Sequence, residues 1–235
     1  MALEDKQLSG FEALIRWIHP KRGLVNPDEF ISLAEETGLI INIDHWVMRE
    51  ACRQTVEWEK RYGPLTISVN LSAKQFAQPD LIERILNNLE YSKLSPENLK
   101  LEITESALMD NTDKAADIIS SLKSHKIKLG LDDFGTGYSS LSYLHRFPVD
   151  TLKIDRSFVS RMEQASENAA IIKTIVALAQ NMDFQTVAEG IETDSQLASL
   201  KELDCRYGQG YLFSKPLTAE EAEKLLQEYR GAPRA

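Results

Sequence analysis

Ile127-Lys128-Leu129-Gly130-Leu131-Asp132-Asp133-Phe134-Gly135-Thr136-Gly137-Tyr138-Ser139-Ser140-Leu141 is the stretch on which the reading of this chain turns. A short apolar run ends in two adjacent carboxylates, and a glycine-punctuated turn follows at once. The run has the length of a strand, and the glycines stop it. Neighbouring aspartates repel each other, so a fold that sets both at a strand end needs a compensating positive charge, most commonly a divalent metal. An isolated Asp-Asp-x-Gly is more often a solvated turn. Its meaning therefore depends on the rest of the chain.

Working outward, the same alternation repeats. Towards the N-terminus, residues 99–106 and 65–72 read as strands, followed by helices near 112–125 and 79–91. Leu81, Ile82, Ile85, Leu86 and Leu89 share one face of the latter. Earlier still, residues 8–17 read as a strand that carries Glu12 and Arg16 on one side at period 2. A loop from His19 to Val25 leads to a helix with Asn26 as N-cap, Pro27 in the first turn, Glu29 as return cap and Gly38 as stop. A longer helix over 44–61 takes Trp46, Val47, Ala51, Val56 and Trp58 as apolar candidates, and Gly63-Pro64 breaks it. Towards the C-terminus come a helical piece around 139–146, a strand at 151–155 and a helix near 165–182 carrying Ile171, Ile172, Ile175, Val176 and Ala179. A strand at 185–192, a helix at 194–204, a strand around 207–213 and a helix at 218–230, capped by Thr218 with Glu221, complete the chain.

Strand-to-strand spacing fits the roughly 30 residues of a βα unit, with no linker or composition break. The expectation is one α/β domain over residues 1–235, either a (β/α) barrel or an open doubly wound sheet. Seven strands are found where a closed barrel wants eight. If the fold is a barrel, one N-terminal strand is missing from this chain.

Composition narrows the partners. The chain has 235 residues, 43% of them hydrophobic and 27% charged, enough for one large core. A net charge of −9 and a pI near 5.1 exclude a basic face for duplex nucleic acid. Cys52 and Cys205 have no paired spacing, and His19, His45, His125 and His145 are scattered, so neither a disulfide framework nor a thiolate or His-x-x-x-His metal site is indicated. No apolar run approaches the ~18 residues of a membrane span, and the first residues are no signal peptide. The expectation is a soluble, reduced, cytoplasmic domain.

The acids carry the chemistry. Glu12, Asn70, Glu102, Asp132, Asp133, Lys153 and Glu189 fall within or at the C-terminal part of successive expected strands. In a parallel barrel those ends converge on the face where active sites are built. Converging carboxylates without a cation would repel or take up protons. Oxygen-only ligands favour magnesium or manganese over zinc. Two ions sharing one aspartate suit in-line attack on a phosphodiester. Lys153 could orient or deprotonate the attacking water, stabilise developing charge, or serve as an ion-paired lysine. Arg16 is a candidate phosphate clamp, because a guanidinium engages phosphate bidentately. Asp133-Phe134-Gly135 lacks the other kinase segments, and Gly135-x-Gly137 lacks the third glycine of a dinucleotide fingerprint.

Taken together, Glu12-Ala13-Leu14 within Glu-Ala-Leu-Ile-Arg-Trp, Val69-Asn70-Leu71-Ser72, Leu101-Glu102-Ile103-Thr104-Glu105, Asp132-Asp133-Phe134-Gly135-Thr136-Gly137, Leu152-Lys153-Ile154-Asp155, Ala188-Glu189-Gly190-Ile191-Glu192 and Gly208-Gln209-Gly210-Tyr211 resemble, in the same order, the motifs of EAL domains, bacterial cyclic di-GMP phosphodiesterases. The resemblance covers nearly the whole chain and implies a TIM-like (β/α) barrel. It also implies a first ion on Glu12, Asn70, Glu102 and Asp132, and a second on Asp132, Asp133 and Glu189. Lys153 would hold or activate water. Arg16, Leu14 and Gln209 would line the substrate site. Glu105 and Glu192 would stand behind the ligands, with Glu105 anchoring the loop after Asp133, a loop tied in the family to metal binding and dimerisation. The implied reaction is Mg²⁺- or Mn²⁺-dependent hydrolysis of cyclic di-GMP to linear pGpG. A non-catalytic cyclic di-GMP-binding module is the alternative. Members of the family normally begin with a helix and an antiparallel strand that this chain lacks, which leads to the expectation of a fragment that forms a homodimer or pairs through exposed strand edges. Sensory or GGDEF domains are expected in the full-length protein.

Overall fold

The computed structural model describes residues 1–109, 111–135, 144–163 and 166–231. The chain opens with β1 (Gly10–Ala13), then β2 (Trp17–His19) and β3 (Gly23–Val25) as an antiparallel hairpin, then α1 (Pro27–Thr37) and α2 (Ile40–Tyr62). β4 (Thr66–Asn70), α3 (Ala73–Phe76) and α4 (Leu81–Ser92) follow, then β5 (Leu99–Thr104), α5 (Glu105–Met109) and α6 (Thr112–Ser124). β6 (Lys128–Phe134), β7 (Thr151–Ile154), α7 (Arg156–Val159) and α8 (Ser166–Asn181) lead to β8 (Gln185–Ala188), α9 (Asp194–Glu202), β9 (Tyr207–Gly208) and α10 (Ala219–Arg230).

Seven strands form one sheet in the order β1-β4-β5-β6-β7-β8-β9, every neighbouring pair parallel. The sheet curls as in a TIM-like barrel, with the helices packed round its outside. Among the described residues β1 pairs only with β4, while Ala2 makes an antiparallel bridge to Tyr207 at the other edge. Residues from β1, β8 and the segment after β9 line one cavity of about 1090 Å³. The count of seven parallel strands agrees with the sequence reading.

Alternation along β5 shows how one strand serves two tasks. Leu99, Leu101 and Ile103 are buried against the helices, whereas Lys100 and Glu102 line the cavity. The outward layer continues through Leu129, Leu131, Leu152 and Ile154, all at most 1% exposed. Truncating any one of these leucines or isoleucines to alanine costs about 2–5 kcal/mol. On β6, Gly130 pairs with Glu102, and a Cβ there would stand 3.3 Å from Glu102 Cγ. The glycine leaves room for the acid inside the sheet.

Several expected boundaries move. Residues 17–25 form the β2–β3 hairpin, fastened where Trp17 packs edge-on to Phe30, rather than a strand end and a loop. Arg16 therefore lies beyond β1, and its shared strand face with Glu12 does not hold. Asn26 caps α1 and Gly38 ends it at φ 79°, but Glu29 pairs with Arg22 instead of returning to the cap. Trp46 is 59% exposed, off the buried stripe of α2. The last strand shrinks to Tyr207–Gly208 because the chain then folds against Ile191. Thr218 and Glu221 form the expected capping box. Most of the helical piece expected at 139–146 lies outside the described residues. No described helix is long and apolar enough to cross a membrane.

Candidate active site

The site grows from the C-terminal ends of the strands. Lys153, on β7, is 2% exposed, and its ammonium meets four carboxylates, from β1, β5, β6 and the residue that follows β8. Nζ lies 2.7 Å from Glu102 Oε2, 2.7 Å from Glu189 Oε1, 3.1 Å from Asp132 Oδ2 and 3.5 Å from Glu12 Oε2. Burial alone would lower the lysine's pKa, but Glu102, Glu12, Glu189 and Asp132 outweigh it and hold the ammonium well above its usual range.

The acids answer differently. Burial opposes the charge of Glu12, yet Lys153, Gln209 and Asn70 overcome it and hold its carboxyl below the usual range. Burial pushes Glu102 up despite Lys153, with the charges of Glu12 and Asp132 adding to the push. Glu189 is raised to about 7 by burial, Lys153 opposing and Asp132 contributing. Asp133 is raised by burial and by the neighbouring Asp132 charge. One ammonium does not neutralise five acids.

Two amides brace the cage. Gln209 Nε2 donates to Glu12 Oε2 at 2.8 Å and to Glu189 Oε1 at 2.9 Å. Asn70 Nδ2 donates to Glu12 Oε1 at 2.8 Å, which leaves its carbonyl oxygen available to a cation.

Strand parity should send the side chains of Asp132 and Asp133 to opposite faces. A one-residue register shift solves this. β6 pairs Leu131 with Leu152 but Phe134 with Ile154, so one extra residue is accommodated at the aspartates. Asp133 takes φ 54°, and its N–H donates to Asp132 Oδ1 at 2.9 Å. In consequence Asp132, Asp133 and Glu189 each bring an oxygen within 4.8 Å of the others, an all-oxygen donor set of the kind hard divalent ions take.

The other expected site residues lie further out. Arg16 and Leu14 are exposed on the cavity wall, with Arg16 donating to the carbonyl of Ile15 at 2.8 Å. Glu192 is exposed on the same wall, and its backbone N–H donates to Gln196 Oε1 at 2.7 Å. Glu105 is buried at the start of α5; the loop it was expected to anchor, residues 136–143, lies outside the described residues. Asp155, to which the sequence pattern assigns no role, reaches Asp133 through its charge and caps α7 with its side chain. Asp44 was missed altogether. Its signal was legible as an acid on a buried helical stripe of Asp44, Met48, Ala51, Thr55, Trp58 and Tyr62.

With that geometry in place, comparison with known proteins decides the family. The sequence profile of the EAL domain matches residues 1–216. The chain belongs to the EAL domain family. Cyclic di-GMP phosphodiesterase NbdA of Pseudomonas aeruginosa is 42% identical over 231 residues, which is 98% of this chain and 30% of NbdA. Cyclic di-GMP phosphodiesterase PdeR of Escherichia coli is 37% identical, over 95% of this chain and 34% of PdeR. The chain thus spans about a third of these curated relatives. Among solved structures, the PaMucR phosphodiesterase in complex with c-di-GMP is 45% identical with a TM-score of 0.88, over 91% of this chain and 87% of the other. The FimX EAL domain from Pseudomonas aeruginosa, bound to c-di-GMP, is 27% identical with a TM-score of 0.83, over 92% of this chain and 87% of the other.

Proposed function

We propose that this EAL domain hydrolyses cyclic di-GMP to linear pGpG with two divalent ions, Mg²⁺ or Mn²⁺. The observation that carries the reading is the cage of four carboxylates round Lys153, with Asp133 beside it, opening on one side of a cavity large enough for a dinucleotide. Two divalent cations would bring five carboxylates and one ammonium to neutrality. Relatives named as cyclic di-GMP phosphodiesterases, at 37–42% identity over almost the whole chain, support the substrate class.

Glu12, Asn70, Glu102 and Asp132 would hold the first ion and Asp132, Asp133 and Glu189 the second. Bound there, the ions supply a lowered pKa for water and compensation for charge on the phosphoryl oxygens. The remaining work falls to the protein. Lys153 sets its ammonium among the carboxylates, where its N–H groups would orient water and offset negative charge on the phosphoryl oxygens. Gln209 keeps Glu12 and Glu189 in fixed orientation. Arg16, on the exposed wall, is free to turn from the Ile15 carbonyl to a phosphate oxygen. Water adds to one phosphorus, one P–O ester bond breaks, and the leaving oxygen ends as a hydroxyl.

Incubation with Mn²⁺ and cyclic di-GMP should release pGpG, followed by chromatography. Glu12→Ala or Asp132→Ala should reduce release by at least about a thousandfold, as loss of a group essential to the electrostatics of the transition state does. Unchanged turnover in excess chelator would overturn the metal dependence. Calorimetric binding of cyclic di-GMP without product would select the non-catalytic binding module instead.

A further inference from the structure

Asn70 is the one proposed ion ligand that is solvent-exposed at the end of its strand without a carboxylate's charge to hold it in place. Its position has to come from the backbone that carries it. The turn Asn70-Leu71-Ser72 is pinned at each residue. Asn70 reaches Glu12, the Leu71 N–H donates to the Glu102 carbonyl at 2.8 Å, and Ser72 is held from the opposite side by α2. There Asp44 Oδ2 accepts both the Ser72 Oγ–H at 2.5 Å and the Ser72 N–H at 3.2 Å. Ser72 Oγ in turn accepts the N–H of Gln75 and so caps α3.

Asp44 is 8% exposed, and nothing in the packing of α2 requires an acid there, since its neighbours on the stripe are apolar or small. A buried carboxylate is retained at a cost, and here the backbone and side-chain donors to it both belong to Ser72, two positions beyond Asn70. Charge-assisted bonds are shorter and stiffer than neutral ones, so they fix a turn more tightly than a packed methyl group does. We propose that Asp44 is a positioning residue of the active site, clamping Ser72 so that the Asn70 amide is presented to the first ion. This rests on the reading under Proposed function that Asn70 is an ion ligand.

The test is Mn²⁺ binding to the chain by calorimetry, with circular dichroism to establish that each variant is folded. Asp44→Ala should weaken the affected Mn²⁺ site about tenfold, within the range that supporting groups behind metal ligands show. Ser72→Ala should weaken it less, because its N–H remains, and Asp44→Asn should recover most of the affinity. Asp44→Ala added to Asn70→Ala should cost nothing more, since the clamp acts only through that amide. Unchanged Mn²⁺ affinity in folded Asp44→Ala, or losses that multiply in the double variant, would overturn the proposal. If Asp44→Ala does not fold, Ser72→Ala with Asn70→Ala carries the same test. Wild-type chain that takes up no Mn²⁺ would overturn the underlying site reading as well, and that result is distinct from a wild type that binds while the Asp44 variants bind equally.

Discussion

Lys153–Glu102 and Lys60–Glu57 are ion pairs of one length, 2.7 Å, in two different worlds. Lys60–Glu57 lies on the open face of α2, with side chains 63% and 41% exposed, and the hydrogen bond from Lys60 pulls the glutamate's pKa down. Glu102 is 4% exposed, and burial pushes its pKa up although its cation is just as near. Distance therefore says little about what a pair does. Water sets the sign. On the surface the pair is a minor adjustment to a charge that solvent already supports. In the cage the lysine is what keeps several acids together at all, and the residual negative charge is what makes the place suited to cations.

Removing the cation gives the largest expected break between the two regions. Lys153→Met keeps the length of the side chain and leaves the buried Glu102 and three partly buried carboxylates without their shared partner. Urea unfolding in chelator at pH 8 should show a loss of about 3–5 kcal/mol, the scale for breaking a buried pair from one side. The loss should shrink as pH falls through about 7, where Glu189, raised by burial, takes up a proton. A loss below about 1 kcal/mol at pH 8 would mean that cage and surface differ less than their burial suggests.

How much of this was legible beforehand differs by element. The acids at strand ends were legible because parallel strands alternate at period 2 and finish on one face, so Glu12, Glu102, Asp132 and Glu189 could be read as convergent. The bulge at Asp132-Asp133 was not, since no residue type marks a register shift and an aspartate at φ 54° reads like any other. Arg16 was misplaced because three residues of hairpin, Trp17–His19, are too short to show periodicity and are fixed by a tertiary contact with Phe30. Gln209, expected at the substrate site, lines the cavity and in addition bridges Glu12 and Glu189, a contact between distant strands that no local pattern marks. Asp44 sat in plain view as a charge on an apolar stripe, a signal that needed the correct start of α2, Ile40 rather than 44, to be seen as internal.

Asp44 also supplies the next sharpening, a buried acid that forms no ion pair among the described residues. Burial raises its pKa from 3.8 to about 6, the bonds from Ser72 oppose, and the charge of Glu35 on the neighbouring α1 adds to the rise. The folded state thus holds the proton more tightly than the unfolded chain. The resulting stability is fully present below pH 3.8 and is lost as pH rises through about 6. The shift corresponds to about 3 kcal/mol. Asp44→Asn cannot ionise, so the stability of wild type minus that of the variant should fall by up to about 3 kcal/mol between pH 4 and 7.5. Urea titrations of both proteins across that window measure it, and a constant difference would show that the carboxylate is better solvated than its burial implies.

The smallest effect belongs to the surface. Arg53 makes two bonds to Glu50 at 2.6 and 3.0 Å, the bidentate geometry that should give an exposed pair its best chance. Glu50 is held below its usual range first by that hydrogen bonding, with partial burial opposing and the Arg53 charge assisting. Both side chains are about half exposed, so solvent screens most of the attraction and ordering two long side chains cancels part of what remains. Arg53→Ala should therefore change stability by no more than about 0.5 kcal/mol at physiological salt, and by slightly more at low salt. Because Arg53 also has Gln54 within reach, at 3.4 Å, the comparison is cleanest as a double-mutant cycle of Arg53→Ala with Glu50→Ala, which isolates the pair from the arginine's other contact. A coupling above about 2 kcal/mol would place this exposed pair alongside the buried one and remove burial as the reason the two regions differ.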